Sequence, residues 1–173
     1  CALPIFWKHV DWRTGQAEVR RSRRLVISFI ATVGNYEYGF FWYFYQDGTI
    51  EYQVKLTGIV NNAAVQAGEE PRHGTLIAPQ LNAHIHQQLF NRSMDMSMGG
   101  RENSEYGVNA EAEPRGPGNP QANAFFPRKT LFATESDAQQ VVNPFSRRGW
   151  LITNPSMRNY LGQEVAYKLI PGE

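Results

Sequence analysis

The sequence contains 173 residues, of which 17 are basic and 16 acidic, so its net charge is +1. That length allows one domain with its own core, and the balanced charge gives no general attraction to nucleic acid or an anionic membrane. A single cysteine, Cys1, excludes an internal disulfide framework, and no apolar run approaches the roughly 18–20 residues of a membrane-spanning helix. We therefore expect neither nucleic acid nor a membrane among its partners.

Strand signals dominate the first third of the chain. Residues 25–32 are rich in β-branched and aromatic side chains, which predicts a buried strand. An aromatic run at residues 40–45 and a further strand at 50–56 flank Asp47-Gly48, a pair typical of tight β-hairpins. Within 50–56, polar and apolar side chains alternate, as in a strand with one wet face.

The rest of the chain is more irregular, and we find no internal repeat or domain boundary in it. Glycine and proline predict a loop at 61–80 and a long connection at 99–123. Residues 135–141 suit one or two helical turns. Further strands are predicted at 85–95, 130–134, 149–154 and 165–170. The fold class is therefore mainly antiparallel β, as a sandwich or a barrel.

Residues 32–40 form the first segment that could carry out chemistry. Gly34-Asn35 interrupts the strand pattern there, so we expect Tyr36 at a bend or at the end of a strand. Tyr36 and Tyr38 flank the carboxylate of Glu37, an arrangement that suits proton handling or redox chemistry. The alternative is that two tyrosines beside a turn simply pack with their hydroxyls at the surface.

A second segment covers residues 82–90. If it is a strand, His84, His86 and Gln88 share one face, because alternate side chains project from the same side. Two imidazoles on one face suit the binding of copper or zinc. The alternative is a chance pair on a solvated face. His9 and His73 lie in weakly patterned segments and are expected at the surface.

Several motifs in order resemble the catalytic domain of copper-containing amine oxidases, which use a topaquinone cofactor. Asn35-Tyr36-Glu37-Tyr38 is similar to the family signature Asn-Tyr-Asp/Glu-Tyr. In this family, an Ala-Pro-x-Leu-x-Ala segment precedes a His-Gln-His copper motif. Ala78-Pro79-Gln80-Leu81-Asn82-Ala83 resembles that segment, and His86-Gln87-Gln88 occupies the position of the copper motif. The resemblance covers roughly residues 7–169 and continues through 116–119, 123–125, 150–152 and 165–169.

The resemblance implies oxidative deamination of primary amines by O₂ to aldehyde, ammonia and hydrogen peroxide. Tyr36 matches the tyrosine that copper and oxygen convert to topaquinone. Asn35 matches the residue that hydrogen-bonds around the quinone and orients its ring. Thr32 matches a residue lining the pocket where oxygen and copper meet.

Metal positions follow from the same resemblance. His86 matches the first copper ligand, and Gln88 occupies the second ligand position, where the family has histidine. His84 is a possible substitute ligand, because it shares the predicted strand face. Asp95 and the carbonyl of Met96 match contributors to a peripheral second metal site, usually calcium.

For the whole chain, the resemblance implies that residues 1–173 are a part, truncated at both ends, of a large antiparallel β-sandwich catalytic domain. The catalytic base would precede Cys1, and the third copper histidine would follow Glu173. We therefore expect no turnover from these residues alone, and a homodimer for the longer protein. The single cysteine suits the cytoplasm, with the periplasm and the extracellular space as alternatives.

Two other functions stay open from the sequence. Gln88 suits a non-catalytic β-sandwich homologue with a decayed copper site and a structural or oligomerising role. The third hypothesis is a β-domain that binds a metal without redox chemistry.

Overall fold

Residues 5–172 are described by the structure, a computed structural model, so Cys1 lies outside the described range. The chain divides into two compact units, one ending at Leu89 and the other beginning at Phe90, a division that the sequence pattern does not indicate. Almost all of the regular secondary structure in the described part is antiparallel strand, which confirms the predicted fold class. It contains no helix long and apolar enough to cross a bilayer.

The first unit arranges eight described strands in three sheets. They are β1 (Ile5–Val10), β2 (Ala17–Arg21), β3 (Arg24–Val33), β4 (Tyr36–Tyr45), β5 (Ile50–Gly58), β6 (Asn62–Ala64), β7 (Gly74–Ala78) and β8 (Leu81–His84). The strand orders are β1-β2, β3-β4-β5 and β6-β8-β7. His9 and His73 are exposed, as predicted.

The β3-β4-β5 sheet is a meander built on two tight turns. Gly34 and Asn35 link β3 to β4, and the φ of +61° at Gly34 suits the first central position of a type II′ turn. In the next turn, Asp47 accepts a hydrogen bond from the backbone N–H of Thr49 at 2.8 Å, and Gly48 has a φ of +85°. Both predicted turns are confirmed, and Tyr36 begins a strand.

Aromatic packing stabilises the central strand, β4. Tyr43 is only 4% exposed, and the guanidinium of Arg24 lies 4.0 Å from the centroid of its ring. Arg24 also donates to the Tyr45 hydroxyl at 2.8 Å, and this bond raises the pKa of Arg24 above its ordinary value. On the next strand, Tyr52 packs against Trp42 with ring centroids 4.5 Å apart.

The prediction that residues 25–32 form a buried strand is half wrong. They lie in β3, but Leu25, Ile27 and Phe29 are each more than half exposed. Within the described residues, β3 is an edge strand that pairs with β4 alone. Apolar and β-branched side chains favour a strand, but strand propensity does not determine what covers its faces.

Two predictions at the β6-β8-β7 sheet are wrong. Residues 61–80 are not all loop, because β6 and β7 are short strands and one of the glycines, Gly74, itself begins β7. Residues 85–95 are not a strand. β8 ends at His84, which pairs with Gly74, the first residue of β7; beyond it, Ile85 makes one further backbone bond, to the carbonyl of His73 at 3.1 Å. Without a pairing strand, apolar periodicity alone does not extend a sheet.

The second unit has one four-stranded sheet among its described residues, in the order β10-β9-β11-β12. Its elements are β9 (Ser104–Ala112), β10 (Phe125–Leu131), a 3₁₀ helix (Pro144–Ser146), β11 (Gly149–Arg158) and β12 (Glu164–Leu169). The strands predicted at 149–154 and 165–170 are confirmed by β11 and β12.

Three expectations for the second unit need correction. Residues 99–123 contain β9, a polar strand that is central in its sheet, so only the Gly/Pro-rich part is a connection. The strand predicted at 130–134 lies earlier, at β10, where Pro127 is tolerated because β10 is an edge strand. Residues 135–138 form consecutive turns, with the N–H of Asp137 donating to the carbonyl of Thr134 at 3.1 Å; residues 139–141 are irregular, and no helix forms.

Asn119 organises the connection between β9 and β10. It is 4% exposed, and its amide nitrogen donates to the carbonyl of Glu113 at 2.8 Å. Its amide oxygen accepts from the backbone N–H groups of Asn123 and Ala124 at 3.2 and 3.3 Å. A single buried side chain therefore holds both sides of this loop.

Candidate functional site

Tyr36 is the first residue of β4 and directly follows the Gly34-Asn35 turn. It pairs with Val33 of β3 on one side and with Gly58 of β5 on the other. Its side chain is half-buried, and its ring meets that of Tyr38 edge-to-face with centroids 6.4 Å apart. The sheet therefore holds the backbone of Tyr36 from both sides and leaves its ring accessible at one end.

The tertiary structure brings Tyr36 into contact with His86. The Tyr36 Oη and His86 Nδ1 atoms share a hydrogen bond of 2.5 Å, whose donor depends on the imidazole tautomer. The two rings are nearly perpendicular, with centroids 5.6 Å apart. Because Nδ1 is engaged, Nε2 is the imidazole nitrogen left for a metal ion.

Further donor atoms lie close to His86 along the chain. The ring centroids of His84 and His86 are 6.1 Å apart, and both side chains are exposed. Gln88 is half-buried, and its Oε1 atom is buried with no hydrogen-bond partner. His84 ends β8 and the residues after it are irregular, so the predicted common strand face of His84, His86 and Gln88 does not exist.

These donors fit part of a copper site. Imidazole nitrogen is a favoured copper ligand, and an unpartnered amide oxygen is free to act as a weaker one. Within residues 5–172, no group of three or more His, Cys, Asp or Glu side chains is placed to hold a metal ion.

A small cavity of about 260 Å³ adjoins Tyr36. Its lining is mainly apolar and comes from β4, from β5 with the two residues after it, and from the segment after β8: Tyr36, Tyr38, Leu56, Thr57, Gly58, Ile59, Val60 and Gln88. Leu56 and Ile59 in this lining are each more than half exposed, so the cavity beside Tyr36 has an apolar wall and is open to solvent.

Thr32 and Asn35 do not contact the Tyr36 hydroxyl through any described hydrogen bond. Thr32 donates to the carboxylate of Glu37 at 2.8 Å, and the two residues pair across the hairpin. Since Glu37 neighbours Tyr36 on a strand, this pair lies on the opposite sheet face from the Tyr36 ring. Asn35 accepts, through its backbone carbonyl, from the N–H of Ile59 at 2.7 Å. The roles that the resemblance implies for both residues stay predictions.

Asp95 and Met96 belong to the second unit and lie in an irregular segment before β9. Asp95 is exposed, and the carbonyl of Met96 accepts a hydrogen bond from the Asn103 amide at 2.5 Å. An exposed carboxylate beside a carbonyl oxygen suits calcium, which binds oxygen ligands. The second metal site stays a prediction.

One functional neighbour was missed from the sequence, namely Gly58. It touches the backbone of Tyr36 from β5, although 22 positions separate the two residues in the chain. The only sequence signal is a glycine at the end of a strand, which also marks many ordinary bulges.

Comparison with known proteins gives a family match over nearly the whole chain. A family model described as the copper amine oxidase enzyme domain matches residues 2–173. A peroxisomal copper-containing diamine oxidase from Nicotiana tabacum is 48% identical over 172 residues, which are 97% of this chain and 22% of that protein. A histamine oxidase from Arthrobacter globiformis is 47% identical over 167 residues, which are 96% of this chain and 24% of that protein.

Solved structures give a consistent result. The crystal structure of a copper-containing benzylamine oxidase from Hansenula polymorpha matches with a TM-score of 0.80 and 26% identity. The match covers 98% of this chain and 27% of that one. The chain thus spans about a quarter of the length of the proteins that it matches.

Proposed function

Because this chain belongs to the copper amine oxidase family, we propose that the protein carrying it oxidises primary amines. The predicted fold, part of the β-sandwich catalytic domain of this family, agrees with the solved relative. In the proposed reaction, amine, O₂ and water yield aldehyde, ammonia and hydrogen peroxide. The observation that carries the proposal is the hydrogen bond between Tyr36 and His86, which joins the two motifs at one point.

The proposed cofactors are copper and a topaquinone made from Tyr36. His86 would bind copper through Nε2, with Gln88 and His84 as the nearby additional donors. Copper with O₂ would supply the oxidation of the tyrosine ring, and the resulting quinone carbonyl would accept the electrons of the amine. Calcium at Asp95 and the Met96 carbonyl is a further part of the proposal.

The chain's own residues supply orientation and an apolar wall beside the ring. His86 holds the Tyr36 hydroxyl by the shared hydrogen bond, so the ring has a defined direction. Leu56, Ile59 and Val60 give the adjoining cavity an apolar wall. In this proposal, Asn35 orients the oxidised ring, and Thr32 contributes to the oxygen-side pocket.

Properties of the whole protein complete the proposal. The chain spans about a quarter of its relatives' length, and we propose that it is one part of a longer catalytic domain. We expect these 173 residues alone to have no turnover, and the longer protein to be a homodimer. A cytoplasmic location remains the proposal from the single cysteine.

The test is chemical labelling of Tyr36 in the full-length protein. The protein is loaded with copper in air and treated with phenylhydrazine, which reacts with a quinone carbonyl, and the adduct is mapped by peptide mass spectrometry. We expect an adduct at Tyr36 and none in Tyr36→Phe. Tyr160→Phe is the control, because Tyr160 is 95% exposed in the second unit. Absence of an adduct in the copper-loaded wild type would refute the proposal.

A second candidate function rests on Gln88. An amide oxygen stands where the family resemblance implies a second copper histidine, and amides bind copper more weakly than imidazoles do. A non-catalytic homologue with a structural or oligomerising role would have such a site. It predicts an assembled protein that neither binds copper stoichiometrically nor forms an adduct. Absence of the catalytic base expected before Cys1, or of the third copper histidine expected after Glu173, from the flanking gene sequence would also favour it.

A further inference from the structure

Gly58, the last residue of β5, lies directly against the backbone that carries Tyr36. A β-carbon added to it would lie 2.8 Å from Tyr36 Cα and 2.8 Å from the Glu37 nitrogen, and would collide with the carbonyl oxygen of Asn35. All three are backbone atoms, so no side chain can turn aside to make room. Gly58 also has a φ of +111°, where residues with a side chain are strained.

The end of β5 is also bonded to the Tyr36 turn. Tyr36 and Gly58 are paired in the β4–β5 ladder, and the N–H of Ile59 donates to the carbonyl of Asn35 at 2.7 Å. A shift of Gly58 away from the turn would therefore move or break this bond. Because Tyr36 and Asn35 are both joined directly to this end of β5, the displacement would act on both residues.

We propose that Gly58 is a positioning residue for Tyr36. Its missing side chain lets β5 approach closely enough to set the position of the Tyr36 backbone, and so the distance from the Tyr36 hydroxyl to His86. Gly58 acts through Tyr36 and touches no reacting atom. This inference rests on the proposed function, because the effect that it predicts is on how efficiently Tyr36 becomes a quinone.

Gly48 gives a matched comparison at the other end of β5. It also has a positive φ, +85°, but a β-carbon there would meet nothing within 4 Å. An alanine at Gly48 therefore carries similar backbone strain without the close approach. The difference between alanine at the two positions isolates the effect of contact with Tyr36.

The experiment compares Gly58→Ala and Gly48→Ala in the full-length protein. The readouts are bound copper per chain, quinone per bound copper by phenylhydrazine titration, and the thermal midpoint. For Gly58→Ala we expect quinone per copper to fall roughly tenfold or more, since small misplacements of reacting groups have effects of this size. Gly48→Ala should keep the wild-type ratio. A Gly58→Ala protein with the wild-type ratio would overturn the inference.

Two further measurements test the inference if the first comparison cannot be made. If Gly58→Ala does not fold, Ile59→Pro removes the bond to Asn35 without adding a β-carbon at Gly58, and an unchanged quinone ratio would then count against the inference. If wild type forms no quinone, the proposed function fails, and crystal structures of the copper-free proteins decide. The distance from Tyr36 Oη to His86 Nδ1 should exceed about 3.2 Å in Gly58→Ala only; an unchanged distance would overturn the inference.

Discussion

Replacing Asn119 by alanine should selectively open the connection between β9 and β10. The side chain of Asn119 is 4% exposed and makes three hydrogen bonds, one to the carbonyl of Glu113 and two from the N–H groups of Asn123 and Ala124. Alanine removes all three bonds and leaves those backbone groups without the amide. The loop would then lose the interactions that join its two sides.

The expected magnitude follows from burial. Each such bond contributes roughly 0.5–1.5 kcal/mol, so three give about 3 kcal/mol of local stability. Asn159, in the β11–β12 turn, provides the matched control. Its oxygen accepts from the N–H groups of Leu161 and Gln163 at 2.9 and 3.0 Å, and its nitrogen donates to the Gln163 side chain at 3.2 Å. These bonds are exposed, so water can replace them, and Asn159→Ala should cost about 1 kcal/mol or less.

Hydrogen exchange with mass spectrometry measures this local stability in the intact protein. The N–H of Glu113 donates to the carbonyl of Ala124 at 2.9 Å and reports directly on opening of the loop. A loss of about 3 kcal/mol would speed its exchange roughly 100-fold in Asn119→Ala. The turn amides of Asn159→Ala should change by about fivefold or less. Equal, small effects in the two variants would refute the argument from burial.

Two other predictions concern the copper site and acid stability. Gln88→His should raise copper affinity by about tenfold or more, measured by competition with a chelator, whereas Gln87→His, beside it and exposed, should not; equal binding by both would contradict the ligand assignment. The backbone N–H of Thr49 lowers the pKa of Asp47 below its ordinary value of 3.8, so the ionised carboxylate stabilises the hairpin above that pH. This stability is lost as the pH falls through the lowered pKa. Asp47→Asn should lack that acid-dependent loss in thermal midpoint, and identical pH profiles would contradict this reasoning.

Local chemistry made the β3-β4-β5 meander predictable. The turns at Gly34-Asn35 and Asp47-Gly48 need only the residues that form them, and the strands between them follow from alternation and β-propensity. The prediction of a strand at 85–95 was wrong because strand formation also depends on pairing with a distant segment. A strand needs a partner, and the pairing strand β7 begins opposite His84.

In the candidate site, too, the sequence identified individual residues but not the contacts between them. Tyr36 and His86 were each singled out by a motif, but their hydrogen bond joins residues 50 positions apart. The prediction that His84, His86 and Gln88 share a strand face depended on a strand that the structure does not contain. Gly58 had no chemical signature, because its importance is the space that it leaves beside Tyr36.

The sequence by itself determined the family, the mainly β class and the two tight turns, one of which places Tyr36 at the start of a strand, because these depend on motifs and local backbone preferences. Only the tertiary structure decided which groups meet Tyr36. Contact between its hydroxyl and His86, and the close approach of Gly58 to its backbone, depend on strand pairing and loop paths between distant residues. Local propensities do not encode those distances, because they result from how the strands pair and pack.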